Sequence, residues 1–318
     1  MISRHVCTAL SILALASLAP VSSAKAQQFI NILAGGTAGV YYPLGVALSK
    51  IYAEKVPKSR PSVQATQASV QNLQLLQEGK GEIAFTLGDS LQFAWDGDAE
   101  AGFKAPLKRL RGIAAIYPNY IQLVATRESG VKTISDLKGH SLSVGAARSG
   151  TELNTRAILK AAGLTYQDLS KVEYLPFAES VELMKNRQLD ATLQSAGLGA
   201  ASIRDLATNN DITVVAVQAA LVLKIGAPYI PATIPANTYR GQSGDVPTAA
   251  VGNFLVTHDR VSNDLAYQMT KSMYQNLPTM VASHSAARDI KVENALIGMA
   301  IPLHPGAERF YKEIGLLK

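Results

Sequence analysis

The sequence has very little cysteine, few aromatic residues and few charged residues. Its one cysteine among 318 residues is Cys7, so the chain has neither a disulfide framework nor a cysteine-rich zinc site. Aromatic residues make up 6% and charged residues 17% of the chain, without a low-complexity tract, heptad seam or fixed-period repeat. Apolar residues make up 47%, which is ample for folded cores, and the length predicts two domains.

The sequence also lacks the motifs of common catalytic sites. Its five histidines never have the His-x-x-x-His spacing of a helical zinc site, and a Gly-x-Ser-x-Gly elbow is absent. The stretch from Gly197 to Ser202 is similar to a dinucleotide fingerprint, but Ser202 stands in place of its third glycine. The basic residues are scattered and carry no interleaved aromatics, which argues against nucleic-acid binding. We therefore predict no catalytic residue, metal or cofactor.

The first 26 residues have the pattern of a secretory signal peptide. Arg4 and His5 form a basic start, residues 9–19 are an apolar run, and Ala24-Lys25-Ala26 has the small-x-small pattern of a cleavage site. The apolar run is shorter than the roughly 20 residues that span a bilayer. Cleavage near Ala26 would remove Arg4 and Lys25 and change the formal charge from +6 to +4. We expect an exported, periplasmic mature protein.

The mature chain alternates apolar β-rich runs with segments of helical periodicity. Predicted strands cover 29–34, 63–66, 83–87, 110–126, 141–145, 172–175, 189–193, 212–217 and 248–257. Helices are predicted between them and over most of 263–318, whereas 228–246 is rich in Pro, Gly, Asn and Thr and is predicted to be loop. This alternation predicts an α/β fold of two lobes, each a mainly parallel sheet flanked by helices.

Two segments are predicted to carry the chain between the lobes. The run 110–126 is interrupted at Tyr117-Pro118, which fits two strand segments joined at a bend, and 248–257 would carry the chain back. The expected division places residues 27–117 and 253–318 in lobe 1 and residues 118–252 in lobe 2.

Two glycine-containing turns stand where a strand is followed by a helix, at residues 35–43 and 146–152. Such turns lie at the carboxyl ends of parallel strands, where free N–H groups at a helix start attract anions. The two turns, one from each lobe, would then bind the same anion. The alternative is that the glycines only allow tight packing and the hydroxyls only cap helices; Ser149, three residues before Glu152, has capping-box spacing.

Six blocks in order resemble one family across nearly the whole mature chain. They are residues 35–45 (GGTAGVYYPLG), 68–73 (ASVQNL), 149–152 (SGTE), 189–191 (LDA), 233–239 (TIPANTY) and 302–307 (PLHPGA). The chain is similar in these blocks to TAXI-family solute-binding proteins of tripartite ATP-independent periplasmic (TRAP) transporters. The resemblance implies a type II-like, two-lobed periplasmic binding protein that closes on a small organic anion, such as glutamate or a 2-oxo or dicarboxylic acid, and delivers it to a TRAP membrane permease.

The resemblance also implies the binding residues and no enzymatic activity. The matching motifs contribute Thr37, Gly39, Tyr41, Tyr42, Ser69, Asn72, Ser149, Gly150 and Thr151; residues at further strand ends and at the crossover add Asp89, Ser90, Tyr117, Gln194, Ser195, Ala196 and Gly197. Closure is expected to rotate the lobes about segments near Tyr117-Pro118 and Gly252-Asn253. We expect a monomer, and the alternative function is an exported enzyme or ligand sensor on the same fold.

The chain departs from the family pattern at two places. Many members have a Pro-Gly-like pair where this chain has Ala147-Arg148, and bulky aromatics where it has Leu193, Gln194 and Ser195. The pocket is therefore expected to be more polar. Arg148 is a candidate contact for a ligand carboxylate, and the alternative is a surface position.

Overall fold

A computed structural model describes residues 27–318, which form ten strands and ten α-helices. The predicted signal peptide lies outside the described residues. The strands are β1 (Gln28–Leu33), β2 (Ser59–Gln64), β3 (Ile83–Leu87), β4 (Leu110–Thr126), β5 (Ser141–Ser143), β6 (Lys171–Glu173), β7 (Ala191–Ala196), β8 (Ile212–Val215), β9 (Ile230–Ile234) and β10 (Val246–His258). The helices are α1 (Tyr41–Lys55), α2 (Ser69–Glu78), α3 (Gly88–Asp96), α4 (Gly150–Ala161), α5 (Phe177–Lys185), α6 (Ala201–Asn209), α7 (Ala219–Ile225), α8 (Asn263–Gln275), α9 (Leu277–Ser283) and α10 (Pro305–Glu313).

The strands form a mixed sheet in the order β2-β1-β3-β10-β4-β7-β5-β6, with β8 paired to β4 and β9 to β10. Strand β1 is parallel to β2 and β3, and β5 is parallel to β6 and β7. The two long strands, β4 and β10, run antiparallel to every strand they pair with. The α/β class is confirmed, and the parallel groups at the two ends of the sheet are joined by antiparallel pairing in the middle.

Strands β4 and β10 connect the two lobes. We define lobe 1 as β1–β3 with α1–α3 and α8–α10, and lobe 2 as β5–β9 with α4–α7. The first part of β4 pairs with β10, and its second part, from Tyr120 to Ala125, pairs with β7. The start of β10 pairs with β9 in lobe 2, whereas Asn253 to Val256 pair with β3 in lobe 1. Each long strand therefore runs from one lobe into the other.

Strand β4 is a single strand of 17 residues, not two segments joined at a bend. Its register against β10 shifts between Gly252 and Phe254, and Gly252 is the partner of Pro118. The missing N–H of Pro118 therefore falls where the ladder is already irregular, so the proline does not end the strand.

The composition of segment 228–246 predicts a loop, but part of this segment forms a strand. Strand β9 lies within it and pairs antiparallel with β10, and helix α7 precedes it. Proline is tolerated in an edge strand, since the ladder bond it cannot donate faces away from the sheet. Pro231 in β9 is such a case, and this pairing outweighs the turn-like composition of the segment.

The buried apolar side chains form three clusters. The largest packs α1 and the C-terminal helices against the sheet, the second surrounds β5, β7 and α4, and the third lies under α2 and α3. Leu153 of α4 belongs to the third cluster, so a lobe 2 helix packs on the apolar core of lobe 1. Within 27–318, the helices are all too short or too polar to cross a bilayer.

Candidate functional site

A cleft that is partly open to solvent lies between the two lobes, with about 590 Å³ of space that includes the solvent at its opening. Both lobes and strand β4 contribute to its walls. Its lining residues are Gly35, Gly36, Gly39, Val40, Tyr41, Thr66, Gln67, Ala68, Ser69, Leu87, Tyr117, Asn119, Ala146, Ser149, Gly150, Thr151, Pro176, Phe177, Ser195 and Ala196. Nine of the seventeen binding residues predicted from sequence are among them: Gly39, Tyr41, Ser69, Tyr117, Ser149, Gly150, Thr151, Ser195 and Ala196.

The first turns of α2 and α4 meet at this cleft from opposite lobes. A Cβ placed on Gly150 would lie 2.7 Å from the Ser69 Oγ, so only glycine allows the two helix starts to come this close. Ser149 caps α4, because its hydroxyl accepts a hydrogen bond from the Glu152 amide at 3.1 Å. The remaining amide groups of each first turn lack intrahelical partners and carry partial positive charge.

Two buried hydroxyl groups that line the cleft have no hydrogen-bond partner within the described part of the chain. They belong to Tyr117 in β4, which is 2% exposed, and to Ser195 in β7, which is 6% exposed. Burial raises the pKa of Tyr117 well above its usual value, and the neighbouring Tyr41 raises it further, so the phenol stays a neutral donor. Neither hydroxyl is therefore committed to another protein group, and both can hydrogen-bond to a molecule or to water in the cleft.

A chain of side-chain amides supports the cleft floor from the crossover strands. Tyr41 donates its hydroxyl to the Asn253 Oδ1. The Asn253 Nδ2 donates to the Tyr117 carbonyl at 3.0 Å and to the Asn119 Oδ1 at 2.6 Å. The Asn119 Nδ2 in turn donates to the Ser195 carbonyl at 2.9 Å. These bonds join α1, β10, β4 and β7, and they hold the backbone of the two residues that carry the unpartnered hydroxyls.

Asp89 lies beside the cleft and holds the two lobes together. Its buried carboxylate accepts hydrogen bonds from the Asn154 Nδ2 and the Tyr229 hydroxyl, both at 2.6 Å, and from the Ser90 amide at 2.6 Å. Asp89 belongs to α3 of lobe 1, whereas Asn154 and Tyr229 belong to lobe 2. Burial raises the pKa of Asp89, and the hydrogen bonds from Tyr229 and Ser90 oppose that rise. The carboxylate does not line the cleft.

The other predicted residues outside the cleft lining are mostly engaged with protein. Asn72 donates to the Ala34 and Phe85 carbonyls at 2.7 and 2.9 Å, which secures α2 to the sheet. Gln194 accepts from the Ser202 hydroxyl at 2.6 Å. Ser90 donates weakly to Asp89, Tyr42 packs on the main core and Thr37 is exposed. A Cβ added to Gly197 would lie 3.3 Å from the Tyr117 ring.

Arg148 lies outside the cleft lining and is exposed. Its guanidinium donates to the Gln74 side chain, and its carbonyl accepts from the Gln71 amide at 3.2 Å. Its φ of 62° is in the left-handed region, which favours glycine. Arg148 thus joins α4 of lobe 2 to α2 of lobe 1.

Sequence reasoning missed several lining residues. Asn119 and Phe177 are the most important: Asn119 bonds to the Ser195 carbonyl, and Phe177 opens α5 and packs near Gly39. Asn119 directly follows the predicted bend at Tyr117-Pro118, which is a usable signal. Phe177 lies in no recognised motif, and only the fold brings it to the cleft.

The cleft contains neither a charged side chain nor a cluster of metal-ligating side chains. Asp, Glu, Lys, Arg and His are absent from its lining residues. Groups of three or more His, Cys, Asp or Glu that could hold a metal ion do not occur anywhere in 27–318. The available groups are amides, hydroxyls, carbonyls and aromatic rings, which can bind a small polar molecule by hydrogen bonds and ring contacts.

The two-lobed α/β fold with an interlobe cleft is that of periplasmic binding proteins. The chain belongs to the NMT1-like family, whose model matches residues 32–315.

Solved structures share this fold at low sequence identity. A structure described as a periplasmic transporter matches with a TM-score of 0.58 and 11% identity, covering 92% of this chain and 94% of that one. The alkanesulfonate-binding protein SsuA from Xanthomonas axonopodis pv. citri, bound to MOPS, matches with a TM-score of 0.50 and 17% identity. The match covers 90% of this chain and 84% of that one. A Xanthomonas citri protein bound to ATP matches with a TM-score of 0.50 and 12% identity. The match covers 91% of this chain and 96% of that one. At these identities the likeness establishes the fold.

Proposed function

We propose that the protein is a periplasmic solute-binding receptor that captures a small organic anion between its lobes and delivers it to a TRAP membrane permease. In this proposal the chain is exported, cleaved near Ala26 and monomeric, with lobe 1 formed by residues 27–117 and 253–318 and lobe 2 by residues 118–252. The TRAP assignment rests on the six sequence blocks that resemble the TAXI family. The receptor assignment agrees with the NMT1-like family and with the fold.

The observation that carries the proposal is the pair of unpartnered hydroxyls on Tyr117 and Ser195, two residues that line the same cleft as the starts of α2 and α4. A carboxylate in the cleft would accept hydrogen bonds from these hydroxyls and from the remaining first-turn amides of α2 and α4, since the Gln71 and Glu152 amides already donate to the Arg148 carbonyl and the Ser149 hydroxyl. Such a molecule satisfies groups that would otherwise be buried at a cost of about 1–3 kcal/mol each.

Capture by closure follows from the distribution of the donors. Ser69 belongs to lobe 1, Gly150 and Ser195 belong to lobe 2, and Tyr117 lies in the strand between them. A solute contacts all of these groups only when the lobes are together, so it stabilises the closed form over the open form. The permease would then recognise the closed form.

Calorimetry of two hydroxyl deletions tests this role. Tyr117→Phe and Ser195→Ala should each weaken binding of the solute by about 1–3 kcal/mol, and they should leave the free energy of unfolding nearly unchanged, since neither hydroxyl bonds to the described protein. Tyr311→Phe is the matched control, because its hydroxyl donates to the Ile113 carbonyl at 2.7 Å away from the cleft. This control should lower stability and leave affinity unchanged. Unaltered affinity in both cleft variants would contradict the proposal.

Mass spectrometry separates this function from that of an exported enzyme. A receptor purified from its own periplasm and denatured should release its solute, and incubation of that solute with fresh protein should return it unchanged. Conversion to another mass would favour an enzyme on the same fold.

A further inference from the structure

We propose that Phe177 is the gate of the cleft: in the closed form its ring narrows the mouth between the lobes so far that a solute passes only when the lobes open. This inference rests on the proposed receptor function and assigns control of entry and release to one residue. It follows from where the mouth lies, from what faces the ring across it and from how the ring is held.

The exposure of the lining residues shows where the mouth of the cleft lies. Tyr117 and Ser195 are only 2% and 6% exposed, so they belong to the floor. Gly36 and Gln67 of lobe 1 also line the cleft but are exposed, and Phe177 of lobe 2 is half-buried. Solvent therefore reaches the cleft between these lobe 1 residues and the start of α5 in lobe 2.

Across the mouth, the Phe177 ring faces a glycine of the other lobe. A Cβ placed on Gly39 would lie 3.7 Å from the Cδ2 and Cε2 atoms of Phe177, and one placed on Gly36 would lie 4.0 Å from the Pro176 Cβ. Both are ordinary van der Waals distances, so a single methyl group would fill the space at either position. A carboxylate is wider than a methyl group and does not fit between the turn and the ring while the lobes are closed.

The lobe 1 turn that faces the ring is itself held in place. The Gly39 amide donates to the Gly36 carbonyl at 3.2 Å, which closes the turn. The Ser202 amide of α6 donates to the Ala38 carbonyl at 3.4 Å, so lobe 2 meets this turn at a second point. Because both contacts cross the lobe boundary, they are lost together when the lobes separate, and the mouth widens.

The ring belongs to the rigid part of lobe 2. Phe177 is the first residue of α5 and packs on the largest apolar cluster. The Ser180 amide and hydroxyl both donate to the Pro176 carbonyl at 3.0 Å, and the Ser180 hydroxyl lies 2.7 Å from the Ser143 hydroxyl in β5. The ring therefore moves with its lobe, and rotation of the lobe opens the gate.

A thiol on the floor of the cleft can report on access through the mouth. The one cysteine of the sequence is Cys7, so residues 27–318 contain none. Ser195→Cys introduces a single thiol in place of a hydroxyl of similar size that has no partner among the described residues. Its alkylation rate is measured without solute, using iodoacetamide and the much larger 5-iodoacetamidofluorescein. Each rate is divided by the rate of the same reagent with N-acetylcysteine, so that only access to the thiol is compared.

Removal of the ring should favour the small reagent. With Phe177 in place, both reagents have to wait for the lobes to open. In Phe177→Ala, iodoacetamide can enter the closed form, whereas the large reagent still requires opening. We expect the ratio of the small-reagent rate to the large-reagent rate to rise by at least about tenfold, a change of about 1.4 kcal/mol in relative access. Phe177→Leu, which keeps an apolar side chain on the cluster, should give a smaller rise.

Two controls, both in the Ser195→Cys background, separate the gate from other effects. Tyr174→Ala removes a ring that is 48% exposed and lies outside the cleft lining in the same lobe, and it should leave both rates unchanged. Tyr229→Phe removes a hydrogen bond between the lobes, so it should raise both rates and leave their ratio unchanged. Circular dichroism and thermal unfolding establish that each variant folds.

An unchanged ratio in the folded Phe177 variants would overturn the inference. A parallel rise of both rates, as expected for Tyr229→Phe, would also overturn it, because Phe177 would then act on lobe closure alone. The alkylation rates are measured without any solute, so a failure of the gate is distinguishable from a failure of the receptor function.

Discussion

The Tyr229 hydroxyl of lobe 2 donates a 2.6 Å hydrogen bond to the buried carboxylate of Asp89 in lobe 1. Asn154 adds a second bond from lobe 2 to the same oxygen. These bonds can form only when the lobes are in contact, so Asp89 favours the closed form. The sequence predicts Asp89 as a ligand contact, whereas the structure gives its carboxylate protein partners across the lobe boundary.

Removing the Tyr229 hydroxyl should weaken closure. Tyr229→Phe takes one donor from a buried carboxylate, which costs about 1–3 kcal/mol. We expect calorimetry to show that solute affinity falls by a similar amount. In small-angle X-ray scattering at the same subsaturating solute concentration, the variant should have a larger radius of gyration than the wild type.

Tyr166→Phe is the control for this experiment. Its hydroxyl donates to the Glu152 Oε1 at 2.8 Å, and both residues lie in lobe 2. It should lower the free energy of unfolding without changing affinity. An equal loss of affinity in the two variants would show that the Asp89 bond has no special role in closure.

The pKa of Asp89 predicts a pH dependence of stability. Its pKa in the folded protein is raised above 3.8 mainly by burial, so the folded state binds more protons than the unfolded state above that pH. The contribution of Asp89 to the free energy of unfolding is fully present below its unfolded pKa and is lost as pH rises through its folded pKa. Relative to Asp89→Asn, the wild type should therefore lose stability as the pH rises above about 4 towards the raised folded pKa. Denaturant unfolding at several pH values measures this difference, and a constant difference would contradict the prediction.

The close approach of α2 and α4 should depend on Gly150. A Cβ at this position would lie 2.7 Å from both the Leu87 Cδ1 and the Ser69 Oγ, which are lobe 1 atoms. Gly150→Ala should hold the lobes apart and reduce solute affinity by at least about tenfold, equivalent to about 1.4 kcal/mol. Gly244→Ala is the control, since a Cβ there meets nothing within 4 Å. Calorimetry measures the solute affinity of both variants. Normal affinity in Gly150→Ala would contradict a closed form in which α2 and α4 meet this closely.

Thr151 lines the cleft at the start of α4 and is expected to contact the solute. Thr151→Val should reduce affinity by about 1–3 kcal/mol with little change in the melting temperature. Thr155→Val, one turn along the helix, should do the reverse, because its hydroxyl donates to the Val144 and Thr151 carbonyls at 3.0 Å inside lobe 2. Unchanged affinity in Thr151→Val would count against its contact role.

Local periodicity was enough to predict the α/β fold and the two long connecting strands. The family resemblance predicted Ser69, Ser149 and Gly150 as binding residues, and all three line the cleft. Strand β9 was missed, since its stability comes from pairing with β10, a partner distant in sequence, and its own composition is typical of a turn.

The side-chain roles were harder to predict. Sequence spacing places Asp89, Asn72 and Gln194 near strand ends, but it does not reveal which polar groups on other elements they meet. Asp89 meets Tyr229, which is 140 positions away, and Asn72 meets carbonyls of two strands. Burial and long-range hydrogen bonds decide these roles, and both depend on the tertiary structure.

A crystal structure of the mature protein purified with its natural solute tests the central claim most directly. We predict an organic anion between the first turns of α2 and α4, within hydrogen-bonding distance of the Tyr117 and Ser195 hydroxyls. A solute bound elsewhere, or one held by groups of a single lobe, would contradict the account.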